Sequence, residues 1–128
     1  MITEISEGVT VSVETFYQPE HSNPVNELFL FTYRITLENN NDFPVQLLRR
    51  HWYIFDSNAD LREVEGEGVV GEQPIINPSK KYQYISACDL RSEIGKMTGK
   101  YTMENCHNKK SFNINIPTFE MIVPFKLN

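Results

Sequence analysis

Alternation with a period of two dominates this chain. Val9, Val11 and Val13 alternate with Thr10, Ser12 and Glu14, giving one apolar and one polar face, as a half-buried strand requires. The pattern is longest from Leu28 to Asn39, where Phe29, Phe31, Tyr33, Ile35 and Leu37 share a face. It resumes from Val45 to Asp56 after Asn39-Asn-Asn-Asp42, residue types that tolerate the left-handed backbone of tight turns. These two runs and their polar connection predict a hairpin. Shorter strands are expected at Leu61 to Glu65, Lys81 to Ala87, Met97 to Met103 and Phe112 to Ile116. About seven to eight strands between turn signals predict an all-β immunoglobulin or fibronectin type III-like sandwich of two antiparallel sheets. Helical spacing occurs only at Leu90, Ile94 and Met97, and Gly95 limits it to a single turn.

The chain has 128 residues, a length at which one core closes without staples. It is expected to be one domain over 1–128, with 120–128 as a C-terminal tail. The formal charge of −5 opposes a phosphate backbone at long range, so no nucleic-acid partner is expected. No apolar run reaches the ~18 residues of a membrane-spanning helix. Met1 to Gly8 has neither the basic nor the apolar region of a secretory signal. A cytoplasmic location follows as the expectation, with Cys88 and Cys106 as reduced thiols.

Gly66-Glu-Gly68-Val-Val-Gly71 matches the glycine spacing of a dinucleotide-binding turn. That turn must open a helix whose free N–H groups hold the pyrophosphate. Pro78 would fall inside such a helix, and Glu65, Glu67 and Glu72 crowd the loop with negative charge. A Rossmann-type site is therefore not expected. The glycines permit positive φ in an irregular connection between the sheets, and loops of that kind carry function more often than cores do.

Arg49-Arg-His-Trp52 is the densest polar and aromatic cluster. Strand parity puts Leu48, Arg50, Trp52 and Ile54 on one face. With Trp52 in the core, Arg50 points inward and must lie near a sheet end or pair with a carboxylate, for which Glu65 or Glu67 is the nearest candidate. Cys88, Cys106 and His107 lack the paired spacing of a zinc site. Glu63, Glu65 and Glu67 lie about 6.6 Å apart along a strand, too far to gather one ion. Neither metal nor cofactor is expected. No Ser or Cys sits in a recognised nucleophile turn, and no catalytic residue is assigned.

Several segments together are more specific than any one motif. They are Gln46-Leu-Leu-Arg-Arg-His-Trp52, Glu65-Gly-Glu-Gly-Val-Val-Gly-Glu-Gln-Pro74 and Tyr82-Gln-Tyr-Ile-Ser-Ala-Cys88. Gly95-Lys-Met-Thr-Gly-Lys-Tyr-Thr-Met103 and Phe112-Asn-Ile-Asn-Ile-Pro-Thr-Phe119 complete the set. In this order the chain resembles the bacterial ApaG family over roughly residues 2 to 119. It departs from the family pattern at Asp89, where a proline is common, and from Glu120 onward. The resemblance implies a fibronectin type III-like fold, an association with cobalt and magnesium tolerance, and no assigned reaction. Similar domains in a eukaryotic F-box protein and a DNA-polymerase-delta-interacting protein resemble protein-interaction modules.

The expected function is accordingly a non-enzymatic module that binds a still unknown protein. Its contact surface is expected at Gly66, Glu67, Gly68, Val69, Val70 and Gly71, supported by Arg50, His51 and Glu65. The alternative is binding of a small anion, or binding linked to a divalent cation, at the same loop. A sheet edge offers a route to a homodimer.

Overall fold

A computed structural model describes residues 1–126. Nine strands run in chain order: β1 (Ile2–Ser6), β2 (Val9–Tyr17), β3 (Phe29–Asn39), β4 (Val45–Asp56), β5 (Leu61–Glu67), β6 (Ile75–Ile76), β7 (Lys81–Leu90), β8 (Ile94–Asn105) and β9 (Ser111–Ile122). Among the described residues these strands pair antiparallel throughout. One sheet has the order β1-β2-β3-β7; the other is β5-β4-β8-β9, with β6 extending the pairing along β4. The two apolar faces meet in a β-sandwich, as the alternation requires. Val9, Val11, Val13, Ile35 and Leu37 are almost fully buried, and Trp52 is 2% exposed. Trp52 stands edge-on to Tyr33 and Phe119 from the opposing layers of the core. Among the described residues, no helix is long and apolar enough to cross a membrane.

The expected hairpin of the third and fourth strands does not form. β3 pairs with β2 and β7, whereas β4 pairs with β5, β6 and β8. Two strands packed face to face across a core carry the same alternation as two neighbours in one sheet, so periodicity does not separate these arrangements. Buried Asn39 marks the corner: its Nδ2 donates to the carbonyls of Phe43 and Ile76, both 2.9 Å away. Between Leu90 and Met97, where the spacing allows one helical turn at most, no helix forms. β7 continues to Leu90 and β8 begins at Ile94, while the carboxylate of Asp56 accepts from Arg91 N at 2.6 Å and from the Ser92 hydroxyl.

The segment expected as a tail from Glu120 contributes to the last strand. β9 reaches Ile122, and Met121 and Val123 are fully buried. Residues 127 and 128 lie outside the described residues. Pro117 and Thr118 oppose the single residue Thr98, because the β8–β9 register shifts between Met97 and Gly99. A proline is tolerated at such a bulge, where a ladder hydrogen bond is already missing.

Candidate functional site

A second bulge, in β4, sets up the site. Leu47 pairs with Met103 and Arg49 with Thr102, leaving Leu48 as an extra residue. The extra residue reverses the facing of everything after it. Before the bulge Val45 and Leu47 are buried; after it Trp52, Ile54 and Asp56 are buried. Strict alternation therefore misplaces Leu48, which is only half-buried, while correctly turning Arg50 inward.

The carbonyl of Leu48 is held by the glycine segment. It accepts from Gly68 N at 2.8 Å and from Gln73 Nε2 at 2.9 Å. Gly66 and Glu67 are the last residues of β5 rather than loop. Gly68 then takes φ +65°, and a Cβ there would lie 2.2 Å from the Glu72 carbonyl oxygen. Val69 is buried, and it exchanges backbone hydrogen bonds of 2.8 and 2.9 Å with Glu72. Val70 and Gly71 close this two-residue turn with φ of 43° and 81°. Positive φ at both central positions is the signature of a type I′ turn, for which Asn-Gly is the preferred pair. The segment thus folds as a tight hairpin tip that stays with its own sheet. No helix follows Gly71, so the geometry of a dinucleotide turn does not arise.

Arg50 lies beneath this tip. Its Nη1 donates to the carbonyls of Glu67 at 3.1 Å and Gly68 at 3.0 Å. A Cβ on Gly66 would stand 2.9 Å from Nη1 and 3.1 Å from Cζ, so the guanidinium occupies the space a side chain would take. The expected carboxylate partner is not there. Gly66 faces Arg50 across the strand pair, and His51 faces Glu65. The alternation of β5 therefore sends the side chains of Glu63 and Glu65 to the outer face. There Nε2 of His51 lies 2.9 Å from Glu63 Oε1 and Nδ1 lies 2.8 Å from Glu65 Oε1, with the ring stacked on Tyr53. The residues expected to act together are split between the two faces of β4: Arg50 with the turn inside, His51 and Glu65 outside.

Three residues that sequence reasoning did not assign to the site complete the inner face. Tyr33 comes from β3, and Tyr84 and Ser86 from β7, all across the sandwich. With Arg50, Trp52 and the turn they line a cavity of about 300 Å³. Burial pushes the Tyr33 and Tyr84 phenols above their ordinary value, so both are neutral hydroxyls at neutral pH. Ser86 beside Tyr33 offsets part of that rise, and the Tyr84 hydroxyl pairs with that of Tyr101. The cavity lies between the edge strands β5 and β7 and is bridged at both ends. At one end Arg62 reaches Asp89, 3.4 Å between Nη1 and Oδ1; at the other the Tyr82 hydroxyl donates to Glu72 Oε2 at 3.0 Å. Cys88 beside Arg62 is a buried thiol, pushed up to about 11 by burial. Among the described residues, no three His, Cys, Asp or Glu side chains converge as a metal site.

Comparison with known proteins places this architecture. The family model described as the ApaG domain matches residues 19–105. A Brucella canis protein named ApaG is 41% identical over 124 residues, covering 97% of this chain and 95% of its own length. A crystal structure of a Bordetella pertussis protein described as ApaA superposes with a TM-score of 0.87 at 37% identity, covering 91% of this chain and 94% of that one. A protein from Archaeoglobus fulgidus shares the fold alone, with a TM-score of 0.53 at 10% identity over 88% of this chain and 95% of its own. The chain belongs to the ApaG domain family.

Proposed function

We propose that this domain is a protein-binding module whose contact surface is the turn Gly68 to Gly71, with the Arg50 cavity beneath it. The observation that carries this reading is Val70. It is a β-branched residue at φ 43°, and its side chain is 56% exposed at the tip of the turn. A left-handed backbone costs an L-residue about 1–2 kcal/mol, and a branched Cβ makes it a genuine outlier. So exposed a side chain recovers little of that cost by burial. The turn would form more easily with asparagine, so an apolar group at its tip is better accounted for by a contact outside the chain.

Affinity capture tests this. The wild-type domain and a Val70→Asn variant, immobilised at equal density, are exposed to the same lysate, and bound proteins are quantified by mass spectrometry. The reading expects at least one protein to be retained by the wild type and lost from the variant, with both forms equally folded. An unchanged retained set would refute the turn as the contact surface.

A further inference from the structure

Arg50 is half-buried in the sandwich, yet none of the ion pairs among the described residues involves it. Its guanidinium is only half used. Nη1 is fixed by the carbonyls of Glu67 and Gly68, while Nε and Nη2 have no acceptor among the described residues. Those two nitrogens form the side-on edge of the guanidinium, the edge that meets a carboxylate through two parallel hydrogen bonds. The two carbonyls hold the group in one orientation, and Gly66 leaves the room it occupies. Little side-chain freedom therefore remains to be lost when an acceptor arrives.

We propose that the cavity beneath Val70 receives a single carboxylate, the side chain of an Asp or Glu in the protein segment that docks on the turn. This rests on the protein-binding reading and names the chemistry of the partner. The cavity holds about 300 Å³, and the Ser86 hydroxyl lines it opposite Arg50, enough space for one carboxymethyl or carboxyethyl group. The charge balance selects a monoanion. One guanidinium matches one carboxylate, whereas a phosphate brings ~1.5–2 negative charges. Glu72 stands at its bridged end, so the second charge would meet a carboxylate rather than a cation. The acceptor must come from outside the chain because β5 turns its own glutamates to the opposite face.

The test is a side-chain NMR titration of the full chain at constant ionic strength, following the Arg50 Nε–H and the backbone amides of Val70 and Gly71. The probes are the capped tripeptide acetyl-Leu-Glu-Leu-amide, its Gln counterpart, sodium acetate and inorganic phosphate. The Glu peptide is expected to move all three signals saturably, with the Gln peptide at least about tenfold weaker. Arg50→Lys, which removes the planar fork, should weaken the Glu peptide by a similar factor. Should that variant fail to fold, the Glu-to-Gln comparison on the wild type decides alone. Equal binding of the two peptides, or shifts that grow without saturation, would overturn the carboxylate site. Acetate binding as tightly as the Glu peptide would overturn the peptide source in favour of a free small carboxylate, and phosphate binding more tightly would overturn the monoanion. The two readings fail separately. Val70-dependent capture without a Glu-peptide response removes only the carboxylate, whereas a Glu-peptide response with Val70-independent capture removes only the turn as contact surface.

Discussion

Replacing Val70 with asparagine measures what the turn costs the fold. Val70 and Gly71 both have positive φ, and the Val70 side chain is 56% exposed. Releasing a β-branched residue from the left-handed region returns about 1–2 kcal/mol, and asparagine occupies that region with little penalty. Against this stands the apolar contact that is lost. Full burial of a valine is worth roughly 1.5 kcal/mol or somewhat more, and less than half of this side chain is covered, so the loss is about 0.5 kcal/mol. The variant should therefore be more stable by about 1 kcal/mol. In a domain of this size that raises Tm by about 3–6 °C and the urea midpoint by about 0.5 M with an unchanged m-value. Calorimetry and urea unfolding of the two proteins side by side give both numbers. An unchanged or lower Tm would mean that the left-handed valine carries no penalty here, and the argument from Val70 to an external contact would fall with it.

Three further outcomes are expected. Gly68→Ala should destabilise by about 2 kcal/mol or more, because its Cβ meets the Glu72 carbonyl at a φ of +65°; a urea midpoint within error of wild type would contradict this. Tyr84→Phe leaves the hydroxyl of fully buried Tyr101 without its partner, at a cost of about 1–3 kcal/mol; a neutral result in thermal unfolding would show that the pair is dispensable. In the native protein at pH 7.5, iodoacetamide should label half-exposed Cys106 well before buried Cys88. Only the thiolate reacts, and burial holds the Cys88 thiol up at about 11; equal labelling rates by intact mass would refute this.

Much of the strand content was legible from alternation, because burying one face imposes it. Val45–Asp56 is found with the expected bounds, and β3 differs by one residue at its start. β1 was missed because none of its residues is buried, so it carries no apolar stripe. β6 has only two residues, too few for any periodic signal. Which sheet each strand joins was not legible, since alternation reports burial and not neighbours. The site divides the same way. The inward turn of Arg50 followed from its spacing to Trp52, although the bulge at Leu48 was invisible. Tyr33, Tyr84 and Ser86 could not be assigned because they reach the cavity across the sandwich from β3 and β7, and that juxtaposition is fixed only by tertiary packing. The Arg50 partner was misjudged because pairing Gly66 with Arg50 depends on a register that no local pattern specifies.

The Leu48 bulge also bears on how portable the glycine segment is. Its carbonyl is the acceptor that captures both Gly68 and Gln73, and beyond its extra residue Arg50 turns toward the inside. The shape of the turn is thus written partly in the strand beside it. Grafted onto a regular hairpin of another sandwich, Gly66 to Gly71 would arrive without its anchor and without the guanidinium that fills the space over Gly66. Conversely, deleting Leu48 would put β4 back into a single phase. Arg50, Trp52 and Ile54 would then continue the inner face of Val45 and Leu47 without a bulge. The core would keep its phase while the turn lost the carbonyl that anchors it. The transferable unit is therefore the β4–β5 ribbon with its extra residue, and not the glycines alone.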